Sequence, residues 1–293
     1  METKRKVVAI AGATGGIGEA LVRGYARRGV HLLIAGRNEE VLRRLRVEAN
    51  ALGAYCESTA FDFRDHAAVD SWCLKAVEKN AEILILCAGV SASVQVLSSK
   101  SNSVSGNGCD DVYLPEAQAD LLRELEVNAV GNILAANAFA RAKVGQLQRE
   151  GKASSARIVF ISSLAALTGL PGSPGYSASK AALRSYGEAL RRLLERHSIG
   201  VTVIFPGYVE SNMSRRYLGA KPWLMSAEQA AGKIMSAIDA GKAEYAFPWI
   251  LAFGIRLLNL IPRWMQNLFL KGFFFTVEPD AESRSALDKN KSG

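Results

Sequence analysis

The short apolar run Val7-Val8-Ala9-Ile10 leads directly into Ala11-Gly12-Ala13-Thr14-Gly15-Gly16-Ile17-Gly18, and then into a stretch with helical apolar periodicity. Strand, glycine turn and helix in that order constrain the fold more than any other part of the chain. Glycines at 12, 16 and 18 permit a tight turn and close backbone approach. The unpaired N–H groups and dipole of the following helix favour an anionic group such as pyrophosphate. A glycine-rich turn alone is weak evidence of a site, so the rest of the chain has to support it.

Apolar runs of strand length recur at about 30–35, 54–60, 82–87, 157–162, 200–205 and 244–247, alternating with helical patterns. That alternation predicts an α/β fold of three αβα layers, a doubly wound parallel sheet covered on both faces. Asn38 stands before a helix that ends at Gly53, and Asp65 is placed to cap the next. Ser226 with Gln229 has the spacing of a capping box, for a helix ending at Gly241. With no linker and no internal repeat, the 293 residues read as one domain carrying a tail. The stretch from Ser91 to Pro115, rich in Ser, Asn and Gly, reads as a mobile surface insertion near the mouth of a site.

Tyr176 and Lys180 lie four residues apart, which places both on one face of a helix. An ammonium beside a phenol stabilises phenolate, so Tyr176 is expected to ionise below its usual value of about 10. Ser163 closes the strand-like run Arg157-Ile-Val-Phe-Ile-Ser-Ser163, so its hydroxyl should emerge at a strand's carboxyl end, where open α/β sheets bind ligands. Many surface helices carry Tyr-x-x-x-Lys without chemistry, and the pair gains weight from the glycine turn upstream.

Together these motifs resemble the short-chain dehydrogenase/reductase family in its compact branch with Gly-x-x-x-Gly-x-Gly spacing, over roughly residues 5–247. The resemblance implies a Rossmann-type fold for residues 1–247 and a nicotinamide cofactor. It makes Asn128, Ser163, Tyr176 and Lys180 the expected catalytic set. It also implies cofactor contacts from Gly12, Thr14, Gly15, Gly16, Ile17 and Gly18, from Asp62 and Phe63 near the adenine, and from Ala88 and Gly89. Tyr176 and Lys180 join them at the nicotinamide ribose, as do Pro206, Gly207, Val209 and Ser211 beside the nicotinamide. Leu86-Cys87-Ala88-Gly89 departs from the family's Asn-Asn-Ala-Gly, which puts hydrogen bonding around the central sheet in doubt. Ala11, where threonine is common in the family, forfeits a side-chain hydrogen bond of about 1 kcal/mol.

The strand His31-Leu32-Leu33-Ile34-Ala35 ends at Gly36-Arg37-Asn38, where an NAD-selective site would hold a carboxylate against the ribose 2′-hydroxyl. No acid stands there. Arg37, with Asn38 beside it, suits a 2′-phosphate instead, which favours NADP(H) over NAD(H). In the chemistry the family resemblance implies, Ser163 and Tyr176 bind a carbonyl oxygen while hydride reaches its carbon and Tyr176 supplies the proton. Lys180 tunes the phenol and binds ribose hydroxyls, and Asn128 anchors a water that continues the proton path.

The net charge of +8 is dispersed over helix surfaces, as in Arg43-Arg44-Leu45-Arg46, without aromatic interleaving, so no nucleic-acid partner is expected. Cys56, Cys73, Cys87 and Cys109 show neither metal-ligand nor disulfide-framework spacing, so no metal is expected and a cytoplasmic, reducing setting fits. Residues 248–278 form a hydrophobic extension interrupted by Arg256, Pro262, Arg263 and Lys271, whereas a spanning helix needs ~20 mostly uncharged residues. An interfacial helix at the inner face of a membrane, a flap over a greasy pocket, or packing onto the fold or a second copy would each explain it. Residues 279–293 are charged and polar, as in disordered tails.

An oxidoreductase interconverting a carbonyl and an alcohol on a small hydrophobic or lipid-like substrate leads the readings. A homodimer or homotetramer is implied by family habit. The rivals are a catalytically silent NADP(H)-sensing protein, a membrane-recruited binding protein, and a sugar-nucleotide epimerase. Retention of all four catalytic residues weighs against the first. In the second they would remain as relics, which cofactor turnover distinguishes. The glycine spacing and the lack of a larger substrate domain weigh against the third.

Overall fold

The computed structural model describes residues 5–92, 94–97, 112–151, 156–262, 264–266, 276–278 and 282. In chain order the first half comprises β1 (Val7–Ala11), α1 (Gly16–Ala26), β2 (His31–Gly36), α2 (Glu39–Ala51), β3 (Tyr55–Ala60), α3 (His66–Glu78), β4 (Ile83–Leu86), β5 (Gln95–Leu97), β6 (Val112–Leu114), α4 (Gln118–Glu124) and α5 (Gly131–Glu150). There follow β7 (Arg157–Ile161), α6 (Pro174–Leu194), β8 (Gly200–Pro206), α7 (Asn212–Arg215), β9 (Tyr217–Leu218), α8 (Ala227–Asp239), β10 (Glu244–Phe247), α9 (Trp249–Leu258) and β11 (Thr276–Val277). All seven expected strands join one parallel sheet in the order β10-β8-β7-β4-β1-β2-β3.

Strand alternation assigns the two cores. Val8 and Ile10 of β1, with Ile83 and Ile85 of β4, pack under α1, α2 and α8. Ala9 and Ala11, with Leu84 and Leu86, face α3, α5 and α6. Burial on both faces is why these runs are continuously apolar. The expected caps are present: Asn38 Oδ1 accepts from Val41 N at 3.0 Å and Asp65 Oδ1 from Ala68 N at 3.0 Å, and Ser226 and Gln229 close a capping box. Such caps contribute about 1 kcal/mol each.

Strand order reverses between β1 and β4, and a crevice opens there beyond the strands' carboxyl ends. The segment from Ser91 to Pro115 departs from the surface loop expected of it. It includes an antiparallel hairpin of β5 and β6, and Ser91, Ala92 and Val94 are buried against the fold. Residues 98–111 lie outside the described residues, as do 267–275 of the hydrophobic extension and, apart from Glu282, the expected disordered tail 279–293.

Candidate active site

Pro174 occupies the first turn of α6, where its missing N–H costs nothing, and Tyr176 and Lys180 follow on the inner face. Ser163 stands two residues beyond the end of β7, and its Oγ accepts from Ala165 N at 3.2 Å. The Lys180 Nζ lies 5.7 Å from the centre of the Tyr176 ring and donates to the Ile161 carbonyl at 3.1 Å. Three of the four expected catalytic side chains, Ser163, Tyr176 and Lys180, therefore border one cavity of about 1040 Å³.

The electrostatics differ from the expectation that Lys180 depresses the Tyr176 pKa. Burial pushes the phenol up to about 12, although the Ser163 hydroxyl favours the phenolate and pulls the other way. Burial also brings the Lys180 ammonium down to about 8. Desolvation penalises either charge and outweighs the attraction between two groups this far apart.

Asn128 is fully buried in a π-helical turn, Leu125–Val130, between α4 and α5. Its Oδ1 accepts from Val90 N at 2.7 Å, while its Nδ2 donates to Val90 O at 2.9 Å and to Ser179 Oγ at 3.1 Å. Its amide thus clamps the chain after Gly89 to α6, and it does not line the cavity. Asn132, which the sequence reading missed, donates to the carbonyls of Ala88, Val127 and Asn128. These two amides supply hydrogen bonds around Ala88-Gly89-Val90, which the absent family asparagines had put in doubt.

Two carboxyls were also missed. Glu124 is buried, with Oε1 accepting from Ala92 N at 2.6 Å and Oε2 lacking a hydrogen-bond partner among the described residues. Burial pushes it up to about 8. Glu116 Oε1 accepts from Gly175 N at 2.9 Å at the start of α6. Ser173 Oγ donates to the Ala92 carbonyl at 2.8 Å, so the Ser91–Val94 segment and the loop before Tyr176 are held together. Neither Glu116 nor Glu124 stands in a motif, so the sequence carried no signal for them.

At the other end of the cavity, Gly12 has a left-handed φ of 76° and a Cβ there would come within 2.4 Å of Ala88 N. A Cβ on Gly18 would meet the Gly12 carbonyl at 2.2 Å, so Gly18 allows α1 to pack on the turn and does not line the cavity. Thr14, Gly15, Gly16 and Ile17 do line it, and the N-cap Gly15 offers no side chain to the first turn of α1. That exposed helix N-terminus fits a pyrophosphate. Arg37, Phe63, Ala88, Gly89, Pro206, Gly207, Val209 and Ser211 complete this part of the wall. Asn38 is spent as a helix cap. Asp62 is chelated by Arg64, at 3.0 Å to Nε and 2.8 Å to Nη2, and neither Asn38 nor Asp62 lines the cavity.

The far wall is apolar and comes largely from α9, through Ile250, Leu251, Gly254, Ile255 and Leu258. Asn259 at the end of α9 donates to the Leu167 carbonyl at 2.6 Å, tying the helix to the loop after Ser163. Trp223, Tyr208 and Met213 line the same region.

A parallel sheet with its crevice at the strand reversal, an uncapped glycine turn and a Ser-Tyr-Lys constellation define a dinucleotide-dependent oxidoreductase. Residues 6–221 match the family model described as short chain dehydrogenase, and the chain belongs to the short-chain dehydrogenase/reductase family, which uses NAD(H) or NADP(H). It is 30% identical to an uncharacterized oxidoreductase of Myxococcus xanthus, over 89% of this chain and 94% of that one. It is 29% identical to dehydrogenase/reductase SDR family member 7B of Bos taurus, over 78% of this chain and 67% of that one. Among solved structures it resembles a single-site variant of actinorhodin polyketide ketoreductase with NADPH, with a TM-score of 0.67, 22% identity, and coverage of 84% of this chain and 97% of that one.

Proposed function

We propose that the protein is an NADP(H)-dependent oxidoreductase that interconverts a carbonyl and an alcohol on a hydrophobic or lipid-like substrate. The observation carrying this reading is the cavity that holds Ser163, Tyr176 and Lys180 between the glycine turn and the apolar wall of α9. When bound, the nicotinamide supplies or accepts the hydride. Ser163 and Tyr176 hydrogen-bond the substrate oxygen, and Tyr176 gives it a proton in the reductive direction. Burial suits that role, because a phenol raised to about 12 stays protonated across the physiological range. Lys180 steadies the charge left on the phenolate, and Asn128 acts by positioning the chain at Val90 and Ser179.

Arg37, at the end of β2 and without a neighbouring acid at positions 36 or 38, supports a preference for the 2′-phosphate. The α9 wall supports a greasy substrate; the proposed division at Phe247 falls where the last strand of the large sheet ends, although Ala252 of α9 packs into the same core. Consumption of NADPH against long-chain ketones, acyl carbonyls, steroids, quinones and sugars tests the reading; no oxidation of NADPH by any carbonyl, with bound cofactor, would favour a sensing protein instead.

The outer face of α9 supports a peripheral membrane contact as well. Trp249, Phe253 and Leu257 follow one another at four-residue spacing and are 71%, 61% and 53% exposed. No helix among the described residues is long and apolar enough to cross a membrane, so the contact would be interfacial.

A further inference from the structure

Thr276–Glu278 and Glu282 both contact residues that border the cleft. β11 pairs antiparallel with β9, and Arg216 donates to the Glu278 carbonyl at 3.0 Å and to the Ser91 carbonyl at 3.2 Å. Four residues on, Glu282 reaches the adenosine end. Its Oε1 lies 2.9 Å from Arg64 Nη1, and its Oε2 lies 3.4 Å from both Arg37 Nη1 and Arg123 Nη1. Burial works against ionisation there, yet the Arg64 and Arg123 guanidiniums hold the carboxyl below its ordinary value. Three arginines from separate parts of the fold, following β2, following β3 and on α4, therefore converge on one carboxylate.

We propose that the Arg37–Arg64–Arg123 cluster is an anion site for the adenosine 2′-phosphate and that Glu282 is its internal competitor, so that NADP(H) binding and displacement of the Glu282 carboxylate are linked. The inference rests on the NADP(H) reading above. Arg37 both lines the cavity and pairs with Glu282, so the phosphate and the carboxylate compete for at least that guanidinium. Arg64 is already oriented by Asp62, and Arg123 by Asp120 at 3.3 Å. A dianionic phosphate can engage several guanidiniums in paired hydrogen bonds, whereas the Glu282 carboxylate is held in part by ion pairs to Arg37 and Arg64 that are exposed on both sides and so contribute little. Displacement then runs toward the phosphate. NADH lacks that group and would leave Glu282 in place.

The test measures dissociation constants of NADPH, NADH and 2′,5′-ADP for the full chain and for Glu282→Gln, together with hydrogen exchange in the peptide carrying Glu282. The expected result is binding of NADPH and 2′,5′-ADP tightened about 3- to 10-fold in Glu282→Gln, NADH changed less than 2-fold, and faster exchange of the wild-type peptide once NADPH is added. Truncation after Glu278 should reproduce the change in affinity. A wild type that prefers NADPH, with all constants unchanged or NADPH weakened in Glu282→Gln, would overturn the competition while leaving the cofactor reading intact. Equal affinity for NADPH and NADH in both proteins would overturn both. A preference that emerges only in Glu282→Gln would support both.

Discussion

At the scale of single residues, proximity and burial pull Tyr176 in opposite directions, and burial prevails. Lys180 is where helical spacing put it, yet its Nζ is engaged by the Ile161 carbonyl and the phenol remains protonated. On the proposed function, Arg37 carries the cofactor choice. In Arg37→Asp a carboxylate would repel a 2′-phosphate and accept from a free ribose hydroxyl, so kcat/KM for NADPH over NADH should fall at least tenfold. An unchanged ratio would make Arg37 a bystander. Glu124 gives a prediction about pH. Its carboxyl, raised from the ordinary 4.5 to about 8, keeps its proton in the folded chain while the unfolded chain loses it. The Glu124 contribution to stability should therefore be greatest below about pH 4.5, fall as pH rises toward 8, and level off above. Glu124→Gln keeps an acceptor for Ala92 N and removes the titration. Denaturant unfolding from pH 5 to 8 should show Glu124→Gln gaining on the wild type as pH rises; a constant difference would mean that Glu124 is not a raised acid.

At the scale of elements, legibility followed periodicity. The strands of the large sheet could be read because burial on both faces makes runs such as Val7–Ala11 and Ile83–Leu86 continuously apolar. Helix starts were legible at Asn38, Asp65 and Ser226 because a cap is a local bond. The β5 and β6 hairpin was not, since three-residue strands in a polar stretch carry too few positions to show alternation. Glu116 and Glu124 also escaped, because whether an acidic residue on or before a helix is buried depends on what packs over it. The α9 helix was legible as apolar but not as two-sided. One side, with Leu251 and Ile255, walls the cavity, and the other carries Trp249 and Phe253 outward. Fully burying such side chains contributes about 1.5–3 kcal/mol each, so either side suffices to bind something apolar. The two roles should separate. Trp249→Ser with Phe253→Ser should reduce co-sedimentation with anionic vesicles severalfold while sparing turnover of short substrates. Ile255→Ser should raise KM for long-chain carbonyls more than for short ones. If the outer pair leaves vesicle binding unchanged, the outward face has another use.

At the scale of the whole molecule, the large sheet, its reversal between β1 and β4, and the contacts of Thr276–Glu278 and Glu282 with residues bordering the cleft act together. The sheet aligns Ala11 with Leu86, and Leu86 with Phe160, so the turn after β1, the Ala88-Gly89 segment and Ser163 open on the same side. The hydrophobic extension adds the apolar wall, and Glu282 meets the arginines at the adenosine end. None of the latter contacts could be read from residue order, because they depend on where the chain returns. The most direct test of the central claim is NADPH oxidation by the purified chain on a hydrophobic carbonyl, compared with Tyr176→Phe, with NADPH affinity measured in parallel. Tyr176→Phe keeps the ring packing and removes only the proton donor, so turnover should fall by a factor of about 100 or more while NADPH affinity stays within about twofold. Turnover retained near the wild-type rate in Tyr176→Phe would contradict the assignment of Tyr176 as the acid that completes carbonyl reduction.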